Sequence, residues 1–149
     1  MADASVAYLH FLGMMCLLAA LVGEHLLLGG DLDSKRTRQL VNTDLVYRIA
    51  VAVVLVTGLL RLTFFGKGIA FYTGSALFHA KMGLFVAVVA LSLYPTKCFR
   101  EMRRELRDGA ASRLGVAHRR RLTMFVRAEL ASLVLIPLFA VLMGRGFGY

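Results

Sequence analysis

Ser5–Leu28, SVAYLHFLGMMCLLAALVGEHLLL, decides the fold. Its ionisable residues are His10, Glu24 and His25, Cys16 sits inside it, and the rest is overwhelmingly apolar. At about 1.5 Å of rise per residue a helix of this length reaches roughly 36 Å, enough to cross a hydrocarbon layer of about 30 Å. Three further runs of the same kind follow, at Leu45–Phe65, Ser75–Tyr94 and Leu122–Met143. Gly29-Gly30-Asp31 ends the first, Gly66-Lys67-Gly68 the second and Pro95 the third, and Asp44 precedes the start of the second. Helices are required, because strands would need a closed barrel of about eight or more segments and an open sheet leaves backbone groups unsatisfied in lipid. The expectation is an all-α, integral membrane four-helix bundle, a single membrane domain over 1–149 with a loop at 95–121.

Composition agrees. The chain has 149 residues, 58% of them hydrophobic, and a formal charge of +9. A soluble domain of this size buries only about two thirds of its unfolded surface and could not hide so much apolar area. The pI of about 10.3 would suit a nucleic-acid partner, but the basic residues fall between the apolar runs, where topology explains them, so no nucleic acid is expected. Twelve of them flank the runs on one side: Lys35, Arg36 and Arg38 in the first loop, and Lys97, Arg100, Arg103, Arg104, Arg107, Arg113, Arg119, Arg120 and Arg121 in the third. Only Lys67 and Arg145 stand opposite. That asymmetry places the basic loops in the cytoplasm and both the N-terminus and the C-terminus outside, on the periplasmic face of a bacterial inner (cytoplasmic) membrane. Tyr8, Phe64, Phe65, Phe71, Tyr72 and Tyr94 fit an interfacial belt, although the chain has no Trp. Cys16 and Cys98 make neither a disulfide framework nor a metal motif. The first run lacks a basic n-region and a cleavage pattern, so no cleavable signal peptide is expected.

Ionisable residues inside the runs carry the functional information, because a charge at the bilayer centre costs about 2.5 kcal/mol or more and usually faces the bundle interior. His10, Arg61, His79 and Lys81 fall towards the outer side; Glu24, His25, Arg48, Arg127 and Glu129 fall towards the basic loops. His10, Met14, Leu17, Leu21 and Glu24 share one helical face, which should point inward. His79 and Lys81 are about 200° apart, and the expectation is His79 inward with Lys81 snorkelling or reaching a neighbouring helix. His10 and His79 at one depth on the first and third helices suit axial ligation of a haem iron, with Arg61 or Lys81 at a propionate. Two other readings stay open: separate histidines hydrogen-bonded within the bundle, and a metal such as copper with Met14 and Met82 as weak extra donors. Glu24 or Glu129 paired with Arg48 or Arg127 would neutralise charge in the other half. No nucleophile triad, P-loop, dinucleotide fingerprint or HExxH occurs. In the third loop, Phe99, Met102 and Leu106 recur at helical spacing among charges of both signs, which predicts an extension of the third helix or an interfacial amphipathic helix.

The segments Tyr8-Leu-His-Phe-Leu, Asp44-Leu-Val-Tyr-Arg, Thr57-Gly-Leu-Leu-Arg-Leu, Gly68-Ile-Ala-Phe-Tyr and Leu77-Phe-His-Ala-Lys-Met-Gly-Leu together resemble a bacterial family of four-helix inner-membrane proteins of unknown function, over nearly the whole chain. More distantly, Leu9-His10 and Phe78-His79-Ala80-Lys81 resemble motifs of the HemJ-type protoporphyrinogen oxidases, and the bundle resembles CopD-like copper-resistance membrane domains. The first of these likenesses implies haem b, a redox role and an oxidoreductase activity, with His10, His79 and Lys81 carried over and Glu129 matched approximately. The fourth helix departs from that pattern, since Arg127-Ala128-Glu129 lies well before Pro137. Alternatives are a non-catalytic accessory subunit or assembly factor in a larger membrane complex, and copper or small-solute transport. The lipid bilayer is the implied partner in every case, with a homo-oligomer or a larger membrane complex as further candidates.

Overall fold

A computed structural model describes residues 1–65, 73–109 and 116–147. Among these residues there are four helices: α1 (Ala2–Leu28), α2 (Ser34–Thr63), α3 (Ala76–Arg107) and α4 (Val116–Gly144). All four are long and apolar enough to cross a membrane. Lys67, Phe71, Tyr72, Arg113 and the Gly68-Ile-Ala-Phe-Tyr segment lie outside the described residues.

Two boundaries differ from the sequence reading. α2 begins at Ser34 rather than near Leu45, so Lys35, Arg36 and Arg38 belong to its first turns and not to a loop. The reason is a local cap. The Asp33 carboxylate accepts from the Arg36 backbone N–H at 2.6 Å, and the Thr37 hydroxyl donates to the Asp33 carbonyl at 2.8 Å. A side-chain cap of this kind is worth about 0.5–2 kcal/mol. α3 runs straight through Pro95 to Arg107, so the stretch read as a loop over 95–121 is mostly helix, and the extension of the third helix is the form it takes. Proline removes one backbone donor, which helices packed among neighbours in a bundle tolerate. Beyond it Cys98, Phe99 and Met102 are buried against the other helices, and that packing holds the polar extension helical.

The bundle is two helical hairpins. α1 packs extensively on α2 and α3 on α4, while α1–α4 and α2–α3 make smaller contacts that close the ring; α1 faces α3, and α2 faces α4, across the centre. The α1–α2 contact is close because Gly13 has no side chain: a Cβ there would lie 3.0 Å from Val54 Cγ2 and 3.1 Å from Val53 Cγ1. Small residues that let backbones approach are the usual basis of helix association in lipid, where dispersion contacts replace the hydrophobic drive. The core is lopsided. Leu17, Leu21, Leu28, Leu40, Tyr47, Phe99, Met102, Leu122 and Val126 are buried, mostly towards the end that carries the basic segments. Between Ala76 and Ala87 α3 buries nothing fully, its first buried residue being Val88. The hairpins therefore meet tightly at the basic end and loosely at the end holding His10. Leu9, Phe11, Met15, Val22, Ile49, Leu59, Val86, Leu93 and Val134 project outward, as a lipid-facing surface requires.

Candidate functional site

The inward face of α1 matches its helical phase: Leu17, Leu21 and Glu24 are buried and His10 and Met14 half-buried. At the open end, His10 reaches α2, where its Nδ1 lies 2.9 Å from the Thr57 hydroxyl oxygen. The Thr57 hydroxyl has one proton, and it goes to the Val53 carbonyl at 2.6 Å. With that proton on the Val53 carbonyl, the contact fits Thr57 accepting from an Nδ1–H tautomer of His10, the form whose Nε2 would be available to ligate. Gly58 makes room for the ring, since a Cβ there would lie 3.2 Å from His10 Cε1. Arg61 on α2 and Lys81 on α3 both lie close enough to act electrostatically on His10 and on each other. The Arg61 guanidinium also sits 5.9 Å from the Phe11 ring centroid, within cation–π range.

The third helix is rotated relative to the sequence reading. His79 is exposed and Lys81 half-buried, so it is the lysine that turns towards α1 and α2. The cause is local: His79 lies in the first turn of α3, and its Nε2–H donates back to the Thr73 carbonyl at 3.0 Å. His10 and His79 share an end of the bundle, but they do not face each other, and α1 and α3 are not neighbours. Met82, also on α3, is exposed. Among the described residues no three His, Cys, Asp or Glu side chains converge as a metal ion would need.

The second constellation occupies the tight end. Glu24 on α1, Asp44 on α2 and Glu129 on α4 are each only 1–2% exposed. The Tyr47 hydroxyl crosses the bundle centre from α2 and donates to Glu129 Oε2 at 2.9 Å. Asp44 accepts from the Thr96 hydroxyl on α3 at 3.1 Å and lies 3.1 Å from the Arg48 Nε one turn on. Arg48 thus takes Asp44 as its carboxylate partner rather than Glu24 or Glu129. Arg127 is exposed, because it stands about 200° round α4 from the buried Glu129. Glu24 Oε1 and Glu129 Oε1 are buried without a hydrogen-bond partner. Tyr47 and Thr57 were missed by the sequence reading because uncharged hydroxyls do not stand out in an apolar run, and Thr96 because it fell in the stretch read as a loop. The signal for Tyr47 was its spacing, since Asp44, Tyr47 and Arg48 lie three and four residues apart and share a face.

Near the basic end, a groove of about 860 Å³ between α3 and α4 is lined by Tyr94, Arg120, Arg121, Met124 and Phe125. Tyr94 packs against Phe125 with ring centroids 4.8 Å apart and stacks on His118 at 6.3 Å. Aromatic rings beside arginines are the composition of a membrane–water boundary.

The family whose description reads "Predicted membrane protein (DUF2214)" matches residues 2–148. No curated protein and no solved structure matches the chain. The chain belongs to this membrane-protein family.

Proposed function

We propose that this small integral membrane protein binds haem b or a related tetrapyrrole at the loosely packed end of the bundle, with His10 as the iron ligand and a redox role. The observation that carries the reading is the Thr57–His10 hydrogen bond, which supports an Nδ1–H tautomer with Nε2 as the ligating nitrogen. Metal-ligating histidines almost always donate their other ring N–H in this way. Lys81 and Arg61 supply the positive charge that two propionates need. The first turns of α3 bury no residue fully, so packing between the hairpins is weakest at the end where the ring is proposed to bind. The resemblance of Leu9-His10 and Phe78-His79-Ala80-Lys81 to the HemJ-type motifs supports the same reading. His79 would have to release the Thr73 carbonyl and turn inward to reach the same group, so His10 is the residue that would hold the iron. Haem supplies one-electron chemistry; the chain's own residues bind it, orient it and shield it from water.

The proposal includes a bacterial inner-membrane location with the basic end in the cytoplasm and both termini outside, on the strength of the charge asymmetry. The test is the absorption spectrum of protein purified in mild detergent after expression with ample haem. A Soret band that His10→Ala abolishes supports the proposal. A protein that remains folded by circular dichroism but shows no band refutes it.

A further inference from the structure

We propose that Glu24, Tyr47 and Glu129, beside an anionic Asp44, form a proton-binding site inside the tight end of the bundle. The inference is independent of haem, since Glu24 lies 14 residues along α1 from His10, about 21 Å of helical rise. Three carboxyl groups from three helices act electrostatically on one another there. The charged and titratable groups facing them are few. α1 adds the half-buried His25; α2 adds Tyr47 and Arg48; α3 adds Arg100, acting on Asp44, besides the neutral Thr96 hydroxyl; the Arg127 of α4 is exposed. Arg48 contacts Asp44, so full ionisation would leave Glu24 and Glu129 as uncompensated charges in the bundle interior. Burying such a charge unpaired is prohibitive, and groups in this position neutralise instead.

The hydrogen bonds assign where the protons sit. One Asp44 oxygen accepts from Thr96 and the other forms an ion pair with Arg48 at 3.1 Å, a cation beside it that favours the anion. Glu129 accepts from Tyr47 through Oε2 and keeps a buried, unpartnered Oε1. Glu24 also has a buried, unpartnered Oε1. Buried polar atoms in folded proteins are almost always paired, so each of these two oxygens marks a place for a ligand, and the chemistry that two cation-free carboxyls accept is a proton, with water as its carrier. The site therefore holds one exchangeable proton on Glu24 and one on Glu129, with Tyr47 as the hydrogen-bond donor that orients the second.

Infrared spectroscopy of the purified full chain in lipid bilayers tests this without added haem. Expected are carbonyl-stretch bands of protonated carboxyls that shift down in D₂O and fade on alkaline titration. Glu24→Gln should remove one band and Glu129→Gln another, whereas Asp44→Asn should remove neither. Absence of any protonated-carboxyl band in the wild type would overturn the proposal. So would bands that neither shift in D₂O nor respond to pH, which would mark sealed structural acids. The wild-type exchange and titration stand alone if a variant fails to fold.

Discussion

Replacing Tyr47 by Phe removes one oxygen from the centre of the bundle and leaves the ring in place. Tyr47 is 2% exposed and Glu129 1%, so both ends of the bond lie away from bulk solvent. Glu129 already has one oxygen without a partner, and the substitution strips the other of its 2.9 Å bond from Tyr47. Hydrogen bonds between helices in a bilayer are worth about 0.6 kcal/mol on average and up to about 1.7. In water-soluble proteins, a typical intramolecular hydrogen bond is worth about 0.5–1.5 kcal/mol. The complete burial of both partners puts this one at the upper membrane value, about 1–2 kcal/mol, or roughly a 5–30-fold rise in the unfolded fraction. The assay is unfolding by SDS in mixed micelles, read by pulse proteolysis, in a double-mutant cycle of Tyr47→Phe with Glu129→Leu. Leucine is chosen because glutamine would still accept from Tyr47. The coupling should be about 1 kcal/mol. Additivity within about 0.3 kcal/mol would show that the two groups do not interact, and the reasoning about the tight end would fail with it.

Other outcomes follow from packing and topology. Gly13→Leu should destabilise by about 1–3 kcal/mol in the same assay, because Val53 and Val54 already stand at contact distance and β-branched side chains in helices have little rotamer freedom. Gly83→Ala should be neutral or stabilising by up to about 1 kcal/mol, since a Cβ there meets nothing within 4 Å. Reporter fusions to either terminus should report the same side of the membrane, opposite to a reporter inserted in the basic segment between α3 and α4. Termini on opposite sides would contradict four spans.

Much of the fold was legible because four runs of apolar residues of the right length admit little else. The boundaries were not, for two physical reasons. Lys35, Arg36 and Arg38 look like loop residues until the Asp33 cap is seen, and Pro95 looks like a stop until the helix around it is packed. At the sites, helical phase identified the inward face of α1 and the exclusion of either Arg127 or Glu129 from the centre. It left His79 and Lys81 on opposite faces, and the expectation of His79 inward failed because His79 is tied back to a backbone carbonyl at Thr73. Nor could it pair the carboxylates, because Arg48 found Asp44 on its own helix one turn away and left Glu24 and Glu129 to hydroxyl and proton partners. Charge counting finds the ionisable residues; only contacts between helices reveal the neutral Tyr47, Thr57 and Thr96 that orient them.

The central claim, that His10 is prepared to ligate iron, is tested most directly by haem titration of the purified protein and its Thr57→Val variant. Valine keeps the shape but not the acceptor that holds the imidazole proton on Nδ1. A Soret band is expected in both, with haem affinity about 10–100-fold weaker in the variant, the usual cost of losing a ligand's supporting hydrogen bond. Equal affinity in the two proteins, or a band that survives His10→Ala unchanged, would contradict it.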